Sequence, residues 1–219
     1  MKLAVANLKG GVGKSSIAQN LAVFLANKGY KTCIVDTDID QQTSVRWSGL
    51  RETGAKVMVV GISDQKALAK NIQQLEQDYD WVIIDGSPVL GALASHIILV
   101  SDLLIIPILP GVADIWSLEN FLERLEQART IKGDIPAYVL INKFNSTDKK
   151  KVSMDMEVEG ALKDTMGVQV LKTKIHYRVA YREAMIGGMT AYEGKDEKAR
   201  KEIESLGNEI LEIVEKILV

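Results

Sequence analysis

The chain has 219 residues, 47% hydrophobic and 26% charged, with 27 basic against 29 acidic side chains and a formal net charge of −2. The apolar content excludes a disordered chain. The single Cys33 excludes a disulfide framework, and the near-neutral charge leaves any contact with nucleic acid to local patches.

Short apolar runs alternate with longer helical patterns. Leu3 to Ala6, Thr32 to Val35, Val57 to Val60, Trp81 to Ile84, Leu103 to Ile106 and Ala137 to Ile141 are predicted strands. Most are continuous Val, Ile and Leu, as in strands covered on both faces of a parallel sheet. Between them, Ile17 to Asn27 places Leu21, Phe24 and Leu25 on one stripe, Gln65 to Gln77 does the same with Leu68, Ile72 and Leu75, and Trp116 to Ile131 with Leu118, Leu122 and Leu125. This rhythm predicts an α/β fold, a doubly wound and mostly parallel sheet with helices on both faces, whose ligand binds beyond the carboxyl ends of the strands. After Asn145, Lys149-Lys150-Lys151 opens a predicted helix to about Met166, followed by a strand at Val168 to Leu171 and a basic stretch from Lys172 to Arg182. The last helix, Lys195 to Leu218, carries Ile203, Leu206, Ile210, Ile213 and Ile217 on one face. Without an internal repeat or a linker, residues 1–219 are expected to form one domain. No apolar run spans a bilayer, and the chain runs from Met1 straight into a strand and a glycine loop, so the expectation is a soluble cytoplasmic protein without a signal peptide.

The glycine loop Lys9-Gly10-Gly11-Val12-Gly13-Lys14-Ser15-Ser16 follows one predicted strand and opens a predicted helix. In that context glycines let backbone N–H groups converge on phosphate, and the helix N-terminus adds partial positive charge. Lys14 then reaches the β- and γ-phosphates and the Ser15 hydroxyl ligates Mg²⁺. The ordinary pattern has glycine where Leu8 stands and no counterpart to Lys9. Two lysines crowd one set of phosphates, which leaves one of them to serve a second nucleotide across a dimer interface. Asp36, Asp38 and Asp40 end a strand beside this loop, where like charges repel unless a cation relieves them. Asp85 ends another apolar run; the bland alternative for a strand-end Asp is a helix N-cap. Asn142-Lys143-Phe144-Asn145 nearly spells the guanine-reading Asn-Lys-x-Asp, but the Asn145 amide is a weaker acceptor than a carboxylate. Adenine is therefore expected, with Asn142 on the base edge or, alternatively, capping a loop.

Lys9 to Ser16 resembles the deviant Walker A box of the ParA/MinD ATPases. Val35-Asp36-Thr37-Asp38 with Gln41 is similar to that family's strand-end Asp-x-Asp segment, and Tyr79 to Asp85 to its Walker B strand. Ser101 to Pro107, the Pro110 loop and Lys174-Ile175-His176-Tyr177-Arg178 extend the resemblance over nearly the whole chain, most like the small ParF-type ParA proteins. Asp38-Ile39-Asp40-Gln41 and Asp85-Gly86-Ser87-Pro88 depart from the usual Asp-Pro-Gln and Asp-Thr-Pro-Pro. The resemblance implies a P-loop NTPase fold and weak, partner-stimulated ATP hydrolysis with Mg²⁺. By it, Lys9 crosses to the partner's nucleotide, Asp38 orients the attacking water, Asp36 supports the metal shell, Asp85 holds Mg²⁺ through a water, and Arg178 lies near the nucleotide. It further implies an ATP-bound homodimer on the nucleoid that binds DNA without sequence preference and segregates plasmid or chromosomal DNA with a centromere-binding adaptor of ParB or ParG type. Positioning of a protein cargo, a MinD-type membrane regulator and a metabolic P-loop enzyme are the alternatives.

Single features weigh these. One cysteine inside a strand does not suit an iron-sulfur relative. Glu202, Glu204, Glu209, Glu212 and Glu215 on the last helix oppose anionic lipid, so no membrane contact is expected and that helix should pack on its own core. Lys172, Lys174 and Arg182 are the first choice for DNA contact, ahead of Lys195, Lys198, Arg200 and Lys201 and of Lys149 to Lys151; a solvated surface is the alternative for each. His96 and His176 lack partners at metal or triad spacing. Met154, Met156 and Met166 are expected in the core. Trp47, Trp81 and Trp116 are expected to pack, with Trp116 also near enough to the Pro110 loop to meet a partner.

Overall fold

Alternate residues of each central strand point into different cores. Leu3 and Val5 join Ile34, Ile83 and Ile105 in one cluster, while Ala4 joins Cys33, Val35, Val82, Ile84 and Leu104 in the other. Both faces are therefore covered, as the unbroken Val/Ile/Leu runs require. The computed structural model describes residues 1–62, 64–88, 91–144, 162 and 169–218. Its strands are β1 (Lys2–Val5), β2 (Thr32–Asp36), β3 (Met58–Gly61), β4 (Trp81–Asp85), β5 (Leu103–Ile108), β6 (Ala137–Phe144), β7 (Gln169–Val170) and β8 (Ile175–His176). They lie in the order β3-β2-β4-β1-β5-β6-β7, with β8 also on β6, and every pairing is parallel.

The helices are α1 (Lys14–Asn27), α2 (Thr43–Gly49), α3 (Gln65–Asp78), α4 (Ala92–Val100), α5 (Val112–Lys132), α6 (Ala180–Ile186) and α7 (Glu197–Ile217). α1 and α7 cover one face of the sheet, and α3, α4 and α5 the other. α7 starts at Asp196, whose carboxylate accepts the Lys198 and Ala199 N–H groups. Its stripe of Ile203, Leu206, Ile210 and Ile213 is buried, and each such side chain contributes about 1.5–3 kcal/mol. Gly207 lets α7 close on the Phe24 ring of α1, in space that a Cβ would occupy. The tail helix is thus part of the core. Among the described residues no helix is long and apolar enough to cross a membrane.

Several expectations are corrected. Ile217 is 38% exposed and leaves the buried stripe one turn early. Trp47 and Trp81 are buried, but Trp116 is 65% exposed on α5. Three helices were not foreseen: α2, α4 and α6. α2 and α6 are too short for a periodic signal, and α4 is apolar nearly all round because α3 and α5 flank it. The helix expected from Lys149 to Met166, with its lysine cluster and Met154, Met156 and Met166, lies outside the described residues.

Candidate functional site

Parallel pairing puts all strand carboxyl ends on one edge. Asp36 on β2 and Val5 on β1 are both in register with Asp85 on β4. The glycine loop leaves β1 at this level and enters α1, with Gly11 at φ 74° and Gly13 at φ 96°, both left-handed. Gly13 also lies against Asn142, where a Cβ would collide with the amide. Asn142 Nδ2 donates to the Val12 carbonyl at 2.7 Å and Asn142 Oδ1 accepts the Lys143 N–H at 2.8 Å. In this conformation its amide therefore grips the glycine loop, the alternative role weighed for it. Lys143, which sequence reasoning passed over, donates to the Gly11 carbonyl at 3.1 Å. Asn7 holds the loop's other end, accepting the Lys9 N–H at 2.9 Å and donating to the Pro107 carbonyl at 2.9 Å.

Lys14 is buried and donates to the Lys9 carbonyl at 2.7 Å. Burial lowers its pKa, against the attraction of Asp85 and Asp38. The Ser15 hydroxyl donates to Asp85 Oδ1 at 3.1 Å, and Ser44 donates to Asp85 Oδ2 at 2.7 Å while accepting from Gln19 Nε2 at 3.2 Å. Burial pushes the Asp85 carboxyl up to about 7, although the hydrogen bonds from Ser44 and Ser15 favour its ionised form. A hydroxyl and a carboxylate 3.1 Å apart are a fitting oxygen donor pair for Mg²⁺. Among the described residues no cluster of three or more His, Cys, Asp or Glu side chains suits a metal.

Asp36, expected to support the metal shell, has both carboxylate oxygens in backbone hydrogen bonds. Its Oδ2 accepts the Ser44 and Val45 N–H groups at 2.9 and 3.1 Å, and its Oδ1 accepts the Asp38 N–H at 3.1 Å. Oδ2 thus anchors the start of α2, the capping use of a strand-end Asp, while Oδ1 holds the loop at Asp38, and burial raises the carboxyl's pKa. Asp38 is half-buried, with Oδ1 accepting the Asp40 and Gln41 N–H groups at 3.2 and 3.0 Å. Asp40 faces solvent. Ser44 carried no motif to mark it, yet it joins the chemistry of Asp85 to the helix that Asp36 anchors.

Beside Gly13 and Ser16 opens a cavity of about 370 Å³, whose far wall is His176, Arg178, Tyr181 and Arg182. A larger groove of about 1160 Å³ lies at the opposite sheet edge, around Met1, Asp102 and Pro136, away from every group above. Size therefore does not choose the site; chemistry does. In the smaller cavity one half-buried carboxylate organises the wall. Glu202 Oε1 accepts Arg178 Nε and Nη2 at 2.9 and 2.6 Å, and Oε2 accepts the Tyr181 hydroxyl at 3.1 Å. His176 Nδ1 lies 2.8 Å from Glu202 Oε1, so this histidine does have a carboxylate neighbour, 26 residues along the chain. The hydrogen bonds from Arg178 to Glu202 raise the arginine's pKa further.

The three cations expected on DNA have different immediate surroundings. Arg182 lines the cavity beside the glycine loop. Lys172 is exposed, and its backbone N–H donates to Glu209, two turns further along α7 than Glu202. The Lys174 ammonium lies 4.8 Å from the centre of the Phe144 ring.

The chain matches the model of the CobQ/CobB/MinD/ParA nucleotide binding domain over residues 3–191. It is 30% identical over 214 residues to the "Maintenance of carboxysome distribution protein A" of Halothiobacillus neapolitanus, covering 95% of both chains. Among solved structures, apo McdA of Cyanothece superposes with a TM-score of 0.80 at 17% identity, covering 95% of this chain and 98% of that one. MinD of Pyrococcus horikoshii, complexed with Mg-ADP, gives 0.79 at 19% identity, covering 99% and 98%. The chain belongs to the CobQ/CobB/MinD/ParA nucleotide-binding family, and its fold is that of the ParA/MinD P-loop NTPases.

Proposed function

We propose that this family member is an ATP-hydrolysing switch that dimerises on ATP and positions a cargo. The observation that carries this is the joining of Lys14, Ser15 and Asp85 at the mouth of a loop that holds a second lysine, Lys9. In the proposal, Lys14 exchanges the Lys9 carbonyl for the β- and γ-phosphates. The N–H groups of Gly10 to Ser16 line the phosphates, and Ser15 and Asp85 hold Mg²⁺, Asp85 through a water. Bound there, Mg²⁺ offsets charge on the phosphates. Asp38 orients the attacking water, and a positioned base of this kind contributes about 10²–10⁴-fold to rate. Lys9 reaches the nucleotide of a second copy. The cavity walled by Arg178 and Tyr181 takes the adenosine end.

The cargo is the finer question. Likeness to a carboxysome distribution protein over 95% of both chains favours a protein assembly over plasmid or chromosomal DNA. In either case the ATP dimer holds to DNA and an adaptor protein stimulates release. The switch is tested by sedimentation with Mg²⁺ and a slowly hydrolysed ATP analogue. Wild type should dimerise, and Lys9→Ala should stay monomeric with its nucleotide bound. A Lys9→Ala chain that dimerises and turns over normally refutes the role given to Lys9.

A further inference from the structure

Lys9 is held by its own chain. Its ammonium lies 2.9 Å from Asp114 Oδ2, with Lys9 33% and Asp114 8% exposed. Asp114 stands in the first turn of α5. Its other oxygen faces the Leu109 N–H at a long 3.4 Å, so Lys9 is the close charged partner among its recorded contacts. The Lys9 backbone is engaged too, N–H to Asn7 and carbonyl to Lys14. Residue 9 thus ties the glycine loop to the entry of α5, 105 positions away in sequence.

We propose that Asp114 is a positioning residue that holds the Lys9 ammonium within its own subunit until two nucleotide-loaded chains meet. This rests on the reading that Lys9 serves the partner's nucleotide. When Lys9 swings out, it leaves behind a mostly buried carboxylate without its counter-charge, which is costly. A second copy with an empty site offers nothing in exchange. A second copy carrying a triphosphate offers several charged oxygens for the one carboxylate given up. The ion pair therefore opposes dimerisation of empty chains and sets the threshold that phosphate contacts must exceed.

The test uses the full chain in two arms. In nucleotide-free protein, a short pulse of acetic anhydride acylates amines, and mass spectrometry reads each lysine. Asp114→Asn keeps the side chain's shape and removes its charge, so labelling of Lys9 should rise about two- to fivefold, as expected for loss of a partly exposed ion pair. Other lysines should keep their rates, and Asp114→Glu should stay near wild type. In the second arm, the protein concentration giving half-dimerisation with Mg²⁺ and a slowly hydrolysed ATP analogue should fall by a similar factor in Asp114→Asn. Unchanged Lys9 labelling overturns the restraint. Faster labelling with an unchanged or raised dimerisation midpoint overturns its role as a threshold. A wild-type chain that stays monomeric with the analogue refutes the switch itself, whereas the labelling arm alone still decides whether Asp114 holds Lys9. A thermal melt of each variant shows that it is folded.

Discussion

Lys14→Met should move stability and nucleotide affinity in opposite directions. In the nucleotide-free chain the Lys14 ammonium is buried with the Lys9 carbonyl as its hydrogen-bond acceptor. Its pKa is lowered from 10.5 by burial, so below that lowered pKa its charge counts against the folded state, and wild-type stability rises as pH climbs toward 10.5. Methionine fills nearly the same volume without charge. The effective penalty of a buried ion is several kcal/mol, here partly offset by the carbonyl and by Asp85 and Asp38. Urea unfolding at neutral pH should therefore show a variant as stable as wild type, or more stable by up to about 2 kcal/mol. Nucleotide binding should collapse. Charge-assisted contacts to two phosphates, each contributing about 1.5–3 kcal/mol, correspond to about two to four orders of magnitude in affinity. Calorimetric titration with Mg²⁺ and a slowly hydrolysed ATP analogue measures that arm. A variant that is markedly less stable yet binds nucleotide as wild type does would mean that Lys14 is a structural cation, and the site would have to be placed elsewhere.

Asp38→Ala should leave ATP binding and dimerisation intact but slow hydrolysis by about a hundredfold or more, trapping the dimer; steady-state phosphate release measures it. Asp40→Ala, at an exposed position, should change the rate little, and the reverse ranking would exchange the two roles. For Asp85 the pKa rises from 3.8 to about 7 on folding, so between those values the native chain binds more protons than the unfolded one. Nucleotide-free wild type should therefore lose stability as pH rises from about 4 to about 7, by up to a few kcal/mol, and Asp85→Asn should lose that slope along with Mg²⁺-dependent nucleotide binding. Equal slopes in urea unfolding at pH 5 and pH 8 for both proteins would contradict this account.

What the sequence made legible follows from how local each signal is. The sheet could be read because Trp81 to Ile84 or Leu103 to Ile106 are unbroken apolar runs, and the glycine loop because phosphate cradling needs adjacent residues. Asp85 could be read from its place at the end of such a run. The use of Asp36 could not, since only the folded chain shows Ser44 and Val45 turning their N–H groups onto it. α4 was missed because Ala-Leu-Ala-Ser-His-Ile-Ile-Leu-Val, flanked by α3 and α5, has no polar face to set a period. Trp116, expected to pack or to meet a partner near the Pro110 loop, is exposed, and one apolar residue in the sequence does not separate those two outcomes. Lys9 with Asp114, and Glu202 with His176, Arg178 and Tyr181, are pairings between distant segments, and spacing along the chain contains no record of them.

The position of Arg182 changes how the expected DNA contacts should be tested. Removing Lys172, Lys174 and Arg182 together would mix two effects, because Arg182 lines the cavity that opens on Gly13 and Ser16 while Lys172 lies beside Glu209. Arg182→Ala alone should weaken nucleotide binding several-fold, a loss of about 1 kcal/mol for one exposed cation. It should leave the salt dependence of DNA binding nearly unchanged. Lys172→Ala with Lys174→Ala should do the opposite. Each phosphate contact contributes about 0.9 to the slope of log affinity against log salt, and two per subunit become four in a dimer. The slope should therefore fall by about 3–4, with nucleotide affinity preserved. Fluorescence anisotropy of a short duplex, with analogue-loaded protein across a salt series, reads both variants. If Arg182→Ala flattens the slope and spares the nucleotide, Arg182 belongs to the DNA face. If the double-lysine variant keeps the wild-type slope, contact passes to the exposed Lys195, Lys198 and Lys201 at the opening of α7. If analogue-loaded wild type ignores duplex DNA at low salt, the switch works without a DNA track.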